Sequence, residues 1–341
     1  MYKVCYNTHT ILLQNEGVMK HFYSSFVVTL IGLVLAFYVG AWQAIYICIL
    51  LSILEVSLSF DNAVVNAKVL DTMDIKWQKR FIYWGIPIAV FGMRFIFPIV
   101  IVAVAARLGM LETLNLALYS PQEYHKTLEE TRFEIYAFGA GFLLMVCLQF
   151  FFSEDKEVHW LSFIEDNVIV RFFMKFPNFA LLLAITLGII LLALTDNILV
   201  GMAYFCAIVL YLIIHSADKF LGAGGVRNGL MGFLYLEVLD ASFSFDGVIG
   251  AFALSENIFI IMIGLGIGAM FVRSLTLYLV EHKTLQKLIY LEHGAHYAIG
   301  ALAIIMLLKI FMEVSEIITG LIGVGFIAIA FLHSKFSNKD S

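Results

Sequence analysis

The chain has 341 residues, of which 62% are hydrophobic and only 14% charged, with a formal net charge of −5; a soluble domain carries about 25% charged residues. That composition excludes a water-soluble globule. With no basic tract and no aromatic residues interleaved with basic ones, nothing points to nucleic acid as a partner.

Apolar runs of about 18 residues or more match the length a helix needs to cross roughly 30 Å of hydrocarbon. Charge clusters divide these runs into ten predicted spans, at 24–41, 44–67, 81–106, 135–152, 179–195, 198–214, 229–254, 257–280, 295–312 and 317–333. No small-residue cleavage pattern follows the first run, which predicts a retained span and not a signal peptide. Within 179–214 only Thr195, Asp196 and Asn197 interrupt the apolar residues, so this stretch reads as a helical hairpin with a polar tip. The predicted organisation is a cytoplasmic N-terminal segment (1–23), a first transmembrane repeat (24–197), a second (198–333) and a cytoplasmic tail (334–341).

Basic residues test that layout, because loops rich in Lys and Arg stay on the cytoplasmic side. Fifteen of the 21 fall on one side, whereas Arg107, Lys126 and Arg132 share one loop on the other and Arg94, Arg273 and Lys309 lie within spans. Both termini are therefore expected in the cytoplasm, most naturally that of a bacterium, with Lys309 reaching toward the outer interface. Cys48, Cys147 and Cys206 sit in apolar runs and Cys5 stands alone, a pattern that offers neither a disulfide frame nor metal-ligand spacing.

The chemistry lies in an internal repeat. The second span reads Glu55-Val-Ser57-Leu-Ser59-Phe60-Asp61-Asn62 and the seventh reads Asp240-Ala-Ser242-Phe-Ser244-Phe245-Asp246-Gly247, with Glu237 one turn before Asp240. An arginine follows in the next span of each half, Arg94 and Arg273. The repeated spans are an odd number of crossings apart, so they run in opposite directions, as in transporters built from inverted-topology repeats whose substrate lies at the repeat interface. Each acid at a helix centre in lipid costs about 2.5–3.5 kcal/mol. Five such acids must line a polar cavity or pair with the two arginines, and the surplus of negative charge suits a divalent cation.

Residues six apart on an ideal helix point about 120° from each other, so the paired acids share a face only if the helix bends. Asn62 and Gly247, which follow the second acid of each motif, are the expected points of discontinuity. Carboxylate, carbonyl and hydroxyl oxygens suit Mn²⁺, Ca²⁺ or Mg²⁺, with Mn²⁺ narrowly favoured, and neither motif holds the Cys or His that would favour Zn²⁺ or Cu⁺. The expected metal ligands are Glu55, Asp61, Asn62, Glu237, Asp240 and Asp246, with Arg94 and Arg273 compensating charge and Ser57, Ser59, Ser242 and Ser244 as secondary polar groups.

These residues resemble the TerC family of integral membrane proteins, whose halves carry E-x5-D-N and E-x2-D-x5-D motifs, each followed by an arginine one helix later. Glu55, Asp61 and Asn62 match the first motif, Glu237, Asp240 and Asp246 the second, and the FGAGFLL stretch at 138–144 is similar to the family's fourth helix. The resemblance implies export of a metal ion, chiefly manganese. Gly247, where the family usually has Ser, and the added hairpin at 179–214 mark a divergent branch.

Other classes fit less well. A buried ion-pair network made only for packing, on a membrane scaffold that binds metal or a partner without transport, needs no surplus of charge. An aspartyl intramembrane protease lacks its G-x-G-D element, and nearby arginines would hold both aspartates ionised; the chain is not expected to be an enzyme. Glu292, His293 and His296, at the start of the ninth span, read as interfacial polar residues or as a cytoplasmic metal-access site.

Overall fold

Gly40 and Ala41 set the first reversal of the chain. Both leave helical geometry within α1 (Tyr2–Leu58), and Ala41 adopts a φ of 53°, a region that L side chains rarely enter. The computed structural model describes residues 2–153, 158–176, 178–221, 229–252, 254–255 and 257–337, and among them all regular structure is helical.

Ahead of the break, Ser25 Oγ donates to the Met270 carbonyl at 2.8 Å; beyond it, Ser52 Oγ donates to the Gly264 carbonyl at 2.9 Å. Both acceptors lie on α13 (Ile258–Glu281), and a methyl group placed on Gly40 would approach Ile260 near its start. The first arm of α1 thus runs down α13 and the second runs back along it. Together the arms form a hairpin that covers the span predicted at 24–41 and the first part of that predicted at 44–67, the rest of which lies beyond the end of α1.

The second arm meets α2 (Phe60–Asp71) at a joint on Ser59 (φ −110°, ψ 15°). A continuous helical path then carries the chain through α3 (Ile75–Pro87), a π-helical stretch (Ile88–Ile96) and α4 (Phe97–Ala105). Pro87 brings no backbone N–H to the ladder, and such gaps favour wider turns. The segment 107–134, expected as a plain loop, folds into α5 (Met110–Tyr119) and α6 (Pro121–Glu130), whose His125 stacks on Phe252 with ring centroids 5.1 Å apart.

After α7 (Arg132–Phe151) come two short pieces, α8 (Ser162–Glu165) and α9 (Val168–Met174), and then the predicted hairpin, α10 (Phe179–Thr195) and α11 (Ile198–Leu221). Its tip is built as the sequence suggests: Asp196 turns left-handed (φ 47°), and Asn197 Oδ1 accepts the Leu199 N–H at 2.9 Å to cap α11. Tyr204 fastens the hairpin by donating to the Ala184 carbonyl at 3.0 Å while its backbone abuts Gly141 of α7. The remaining helices are α12 (Gly229–Phe252), α14 (Thr284–Lys287), α15 (Leu291–Leu308) and α16 (Glu316–Ser337).

Among the described residues seven helices are long and apolar enough to cross a membrane, the kinked stretch His21–Leu58 counting as one. When its two arms are separated and α10 and α12 added, these helices correspond to the ten predicted segments. The chain is an all-α, multi-pass integral membrane protein. Lys309 departs from expectation: it is buried, with Nζ 5.6 Å from the centre of the Tyr136 ring, which gives its charge a local partner away from solvent.

Small residues allow α13 to touch the second arm of α1, as is common where helices meet in lipid. A Cβ on Gly264 would come within 2.7 Å of Leu51 Cβ, and one on Gly268 within 2.5 Å of Glu55 Cβ and 2.7 Å of the Ser52 carbonyl oxygen. Gly268→Ala is therefore expected to force the two backbones apart and to destabilise the protein by about 1–3 kcal/mol. Thermal unfolding in detergent measures this, and an unchanged midpoint would contradict the packing.

Candidate functional site

The two repeated motifs meet face to face and run in opposite directions. A Cβ on Gly247 of α12 would lie 3.2 Å from Glu55 Oε2, and Asn62 Nδ2 donates to Asp240 Oδ1 at 2.6 Å. Glu55 thus pairs with the later end of the α12 motif and Asn62 with its earlier end, which makes the motif helices antiparallel. Antiparallel motif helices are what an inverted repeat requires.

Arg94, brought in by the π-helical stretch, joins the halves. One terminal nitrogen donates to Glu55 Oε1, and Nη1 donates to Asp240 Oδ2 at 3.1 Å and to the Ala89 carbonyl at 3.2 Å. Ser59 Oγ also donates to Glu55 Oε1, at 2.8 Å. Arg94 and Glu55 are 2% and 1% exposed, so neither charge is left to water and each depends on the other.

Arg273 of α13 is held differently. It donates through Nη1 to the Gly85 carbonyl of α3, lies with Cζ 3.9 Å from the centre of the Phe81 ring, and approaches Glu237 Oε1 with Nη2 only to 3.7 Å. A cavity of about 20 Å³, room for one water or a bare ion, is bordered by Glu237, Asp240, both arginines, Asn66 and Thr276. Asn62 Oδ1, Asn66 Oδ1, Glu237 Oε1 and the Nε of each arginine are buried with no hydrogen-bond partner among the described residues. Such orphaned groups normally mark a place for water or a ligand.

Several expectations are corrected in detail. The discontinuity of the first motif falls at Ser59, before Asp61, and backbone bonds continue across it, from Ser59 N to Glu55 O at 2.9 Å and from Ala63 N to Ser59 O at 3.2 Å. In the second motif α12 is helical through Gly247, because that glycine serves the close approach of Glu55 and not a break. The Ser59 joint does not bring Asp61 to Glu55. Buried to 3% exposure, Asp61 points toward α16, where a Cβ on Gly323 would lie 3.9 Å from Oδ2, and its Oδ1 accepts the Asn62 backbone N–H at 3.0 Å. Among the described residues no basic side chain pairs with Asp61 and no group of three His, Cys, Asp or Glu is arranged to hold a metal. The Asp246 side chain, the sixth expected ligand, lies outside the described residues.

Of the four motif serines only Ser59 joins the charged network. Ser57 and Ser242 donate to carbonyls one turn back, Ile53 and Val238, at 2.8 and 2.9 Å, while Ser244 borders a mainly apolar cavity with Met93 and Phe97.

Glu292, His293 and His296 do not converge on a common point. Glu292 pairs with Lys68 at 2.8 Å, His296 stacks on Phe150 with centroids 3.7 Å apart, and His293 turns to the Val158 carbonyl at 2.8 Å and to Glu165 at 3.4 Å. Glu165, 1% exposed, is a buried acid that the sequence reading passes over. Asn66, Phe81 and Gly85 are likewise residues of the site that the sequence reading does not single out. For Asn66 a signal exists, an amide in an apolar helix one turn after Asn62; Gly85 carries none.

The family described as "Protein of unknown function (DUF475)" matches the chain over residues 60–341. No curated protein and no solved structure matches it.

Proposed function

Since the chain belongs to the DUF475 family, whose description assigns no activity, we propose from the site itself that it is a membrane transporter, an exporter, of a divalent metal cation, with Mn²⁺ favoured and Ca²⁺ or Mg²⁺ as the other hard ions to test. One observation carries the reading: two antiparallel motif helices bury Glu55, Asp61 and Glu237 with Asp240 half-buried beside them, and among the described residues their ion-pair partners are Arg94 and Arg273 alone. The arrangement leaves negative charge over, with Asp61 the motif acid that no described arginine neutralises. Beside the two guanidiniums the cavity is bordered by the side-chain oxygens of Glu237, Asp240, Asn66 and Thr276, and such donors select hard cations. The resemblance of the same residues to the TerC motifs supports a metal substrate independently of the geometry.

A second reading, a membrane scaffold that binds metal or a partner without moving it, is favoured by the closed Glu55–Arg94–Asp240 network. Flux decides between them. Purified protein in vesicles is expected to carry Mn²⁺ down an imposed gradient, and binding without flux would favour the scaffold.

The proposed orientation puts both termini in the cytoplasm of a bacterial inner membrane and α5–α6 outside. A cysteine introduced at the exposed Gln122 is expected to react with an impermeant maleimide added to whole cells. Labelling only after the membrane is opened would reverse the orientation.

A further inference from the structure

The two arginines at the centre of the site do not depend on the acids equally. Arg94 has two carboxylates and one carbonyl for partners, and both carboxylates belong to the repeated motifs. Arg273 draws its closest contacts from α3 instead: the Gly85 carbonyl accepts from Nη1, and the guanidinium carbon lies over the Phe81 ring, 3.9 Å from its centre. Its carboxylate, Glu237, stands off at 3.7 Å, with Oε1 unbonded on the rim of the small cavity.

We infer that Gly85 and Phe81 form a berth for the Arg273 guanidinium, so that Glu237 can turn from its counter-ion to an incoming cation without stranding a buried arginine; they are positioning residues of the cation site. This rests on the cation reading above. The chemistry of the berth follows from what a buried guanidinium requires, which is hydrogen-bond acceptors for its N–H groups and an electron-rich face. A backbone carbonyl and an aromatic ring supply both and carry no charge that the cation would claim. Gly85 has to be glycine because the guanidinium occupies the space that a Cβ would fill. Phe81, 3% exposed, closes the other side.

The berth is tested first without metal. Glu237→Gln alone is expected to melt close to the parent, because Arg273 keeps its carbonyl and its ring. Phe81→Leu added to Glu237→Gln is expected to lower the midpoint by more than the sum of the two single changes, since only the double variant takes both the ring and the carboxylate from the arginine and leaves it the Gly85 carbonyl. Strict additivity overturns the berth whatever the substrate proves to be. Phe81→Tyr, which keeps a ring face, is expected to restore the double variant, whereas failure to do so would assign Phe81 to packing alone.

Calorimetry with Mn²⁺ then reads the positioning role. Phe81→Leu and Gly85→Ala push Arg273 onto Glu237, and each is expected to weaken Mn²⁺ binding roughly fivefold or more. In an Arg273→Gln background the same changes should do nothing. Unchanged affinity in Phe81→Leu, in a protein whose Asp240→Asn variant has lost Mn²⁺, overturns the positioning role and leaves the cation site standing. A parent that binds no Mn²⁺ fails the cation reading itself, and the melting cycle still decides the berth.

Discussion

Arg94→Gln is expected to cause the largest loss of stability of any single substitution in the site, about 3–5 kcal/mol, the range found when one partner of a buried ion pair is removed. Glu55 and Asp240 would be left buried with their charges uncompensated, in antiparallel helices that Arg94 now joins. Arg94→Lys should not restore the protein, because a single ammonium cannot fork between two carboxylates. Arg94→Gln combined with Glu55→Gln should recover much of the loss, since a matched neutral pair leaves one fewer stranded charge. Thermal unfolding in detergent, followed by size-exclusion chromatography, reads all three. A single Arg94→Gln variant that melts with the parent would show that the network contributes little to holding the repeats together.

Asp61→Asn is expected to have the opposite profile, an intact fold with lost binding. No described basic side chain depends on Asp61, and its Oδ1 accepts only a backbone N–H, which an amide oxygen can still accept. Neutralising a carboxylate this buried relieves desolvation and strands nothing. Mn²⁺ affinity, however, should fall at least tenfold, about 1.4 kcal/mol, with flux in vesicles falling alongside, because the substitution removes the one described acid of the two motifs that has no arginine partner. By the symmetry of the motifs Asp246→Asn should act in the same way. An Asp61→Asn protein that binds and moves Mn²⁺ like the parent would move the cation site away from Asp61 and toward the Glu237 cavity.

Much of this architecture was readable in the chain because lipid imposes strict conditions. A span needs its length of apolar residues, and a buried acid needs a partner. The ten segments, the Asp196–Asn197 tip and the meeting of Glu55 and Asp240 with Arg94 all follow from those two conditions. The details that did not follow turn on glycine and serine, whose local propensities allow several outcomes. Gly247 reads as a breaker, yet its missing side chain makes room for Glu55 across the interface; the joint appears instead at Ser59, whose hydroxyl is committed to that same carboxylate. Gly85 lay beyond any sequence pattern, because the contact that explains it joins a backbone carbonyl to an arginine 188 positions later.

The hairpin of α1 also has a consequence for biogenesis. Its arms are made well before α13, where Ser25 and Ser52 find their partners only 245 and 212 residues downstream. At a synthesis rate of roughly 5–20 residues per second, the second arm waits on the order of ten to forty seconds for that surface. Glu55 would spend this interval as a naked charge in the insertion machinery, were its first counter-ion not only 39 residues away in Arg94. The order of residues along the chain thus lets the early half neutralise itself while the ribosome is still at work, and leaves to the late half the acid, Asp240, that locks the two together.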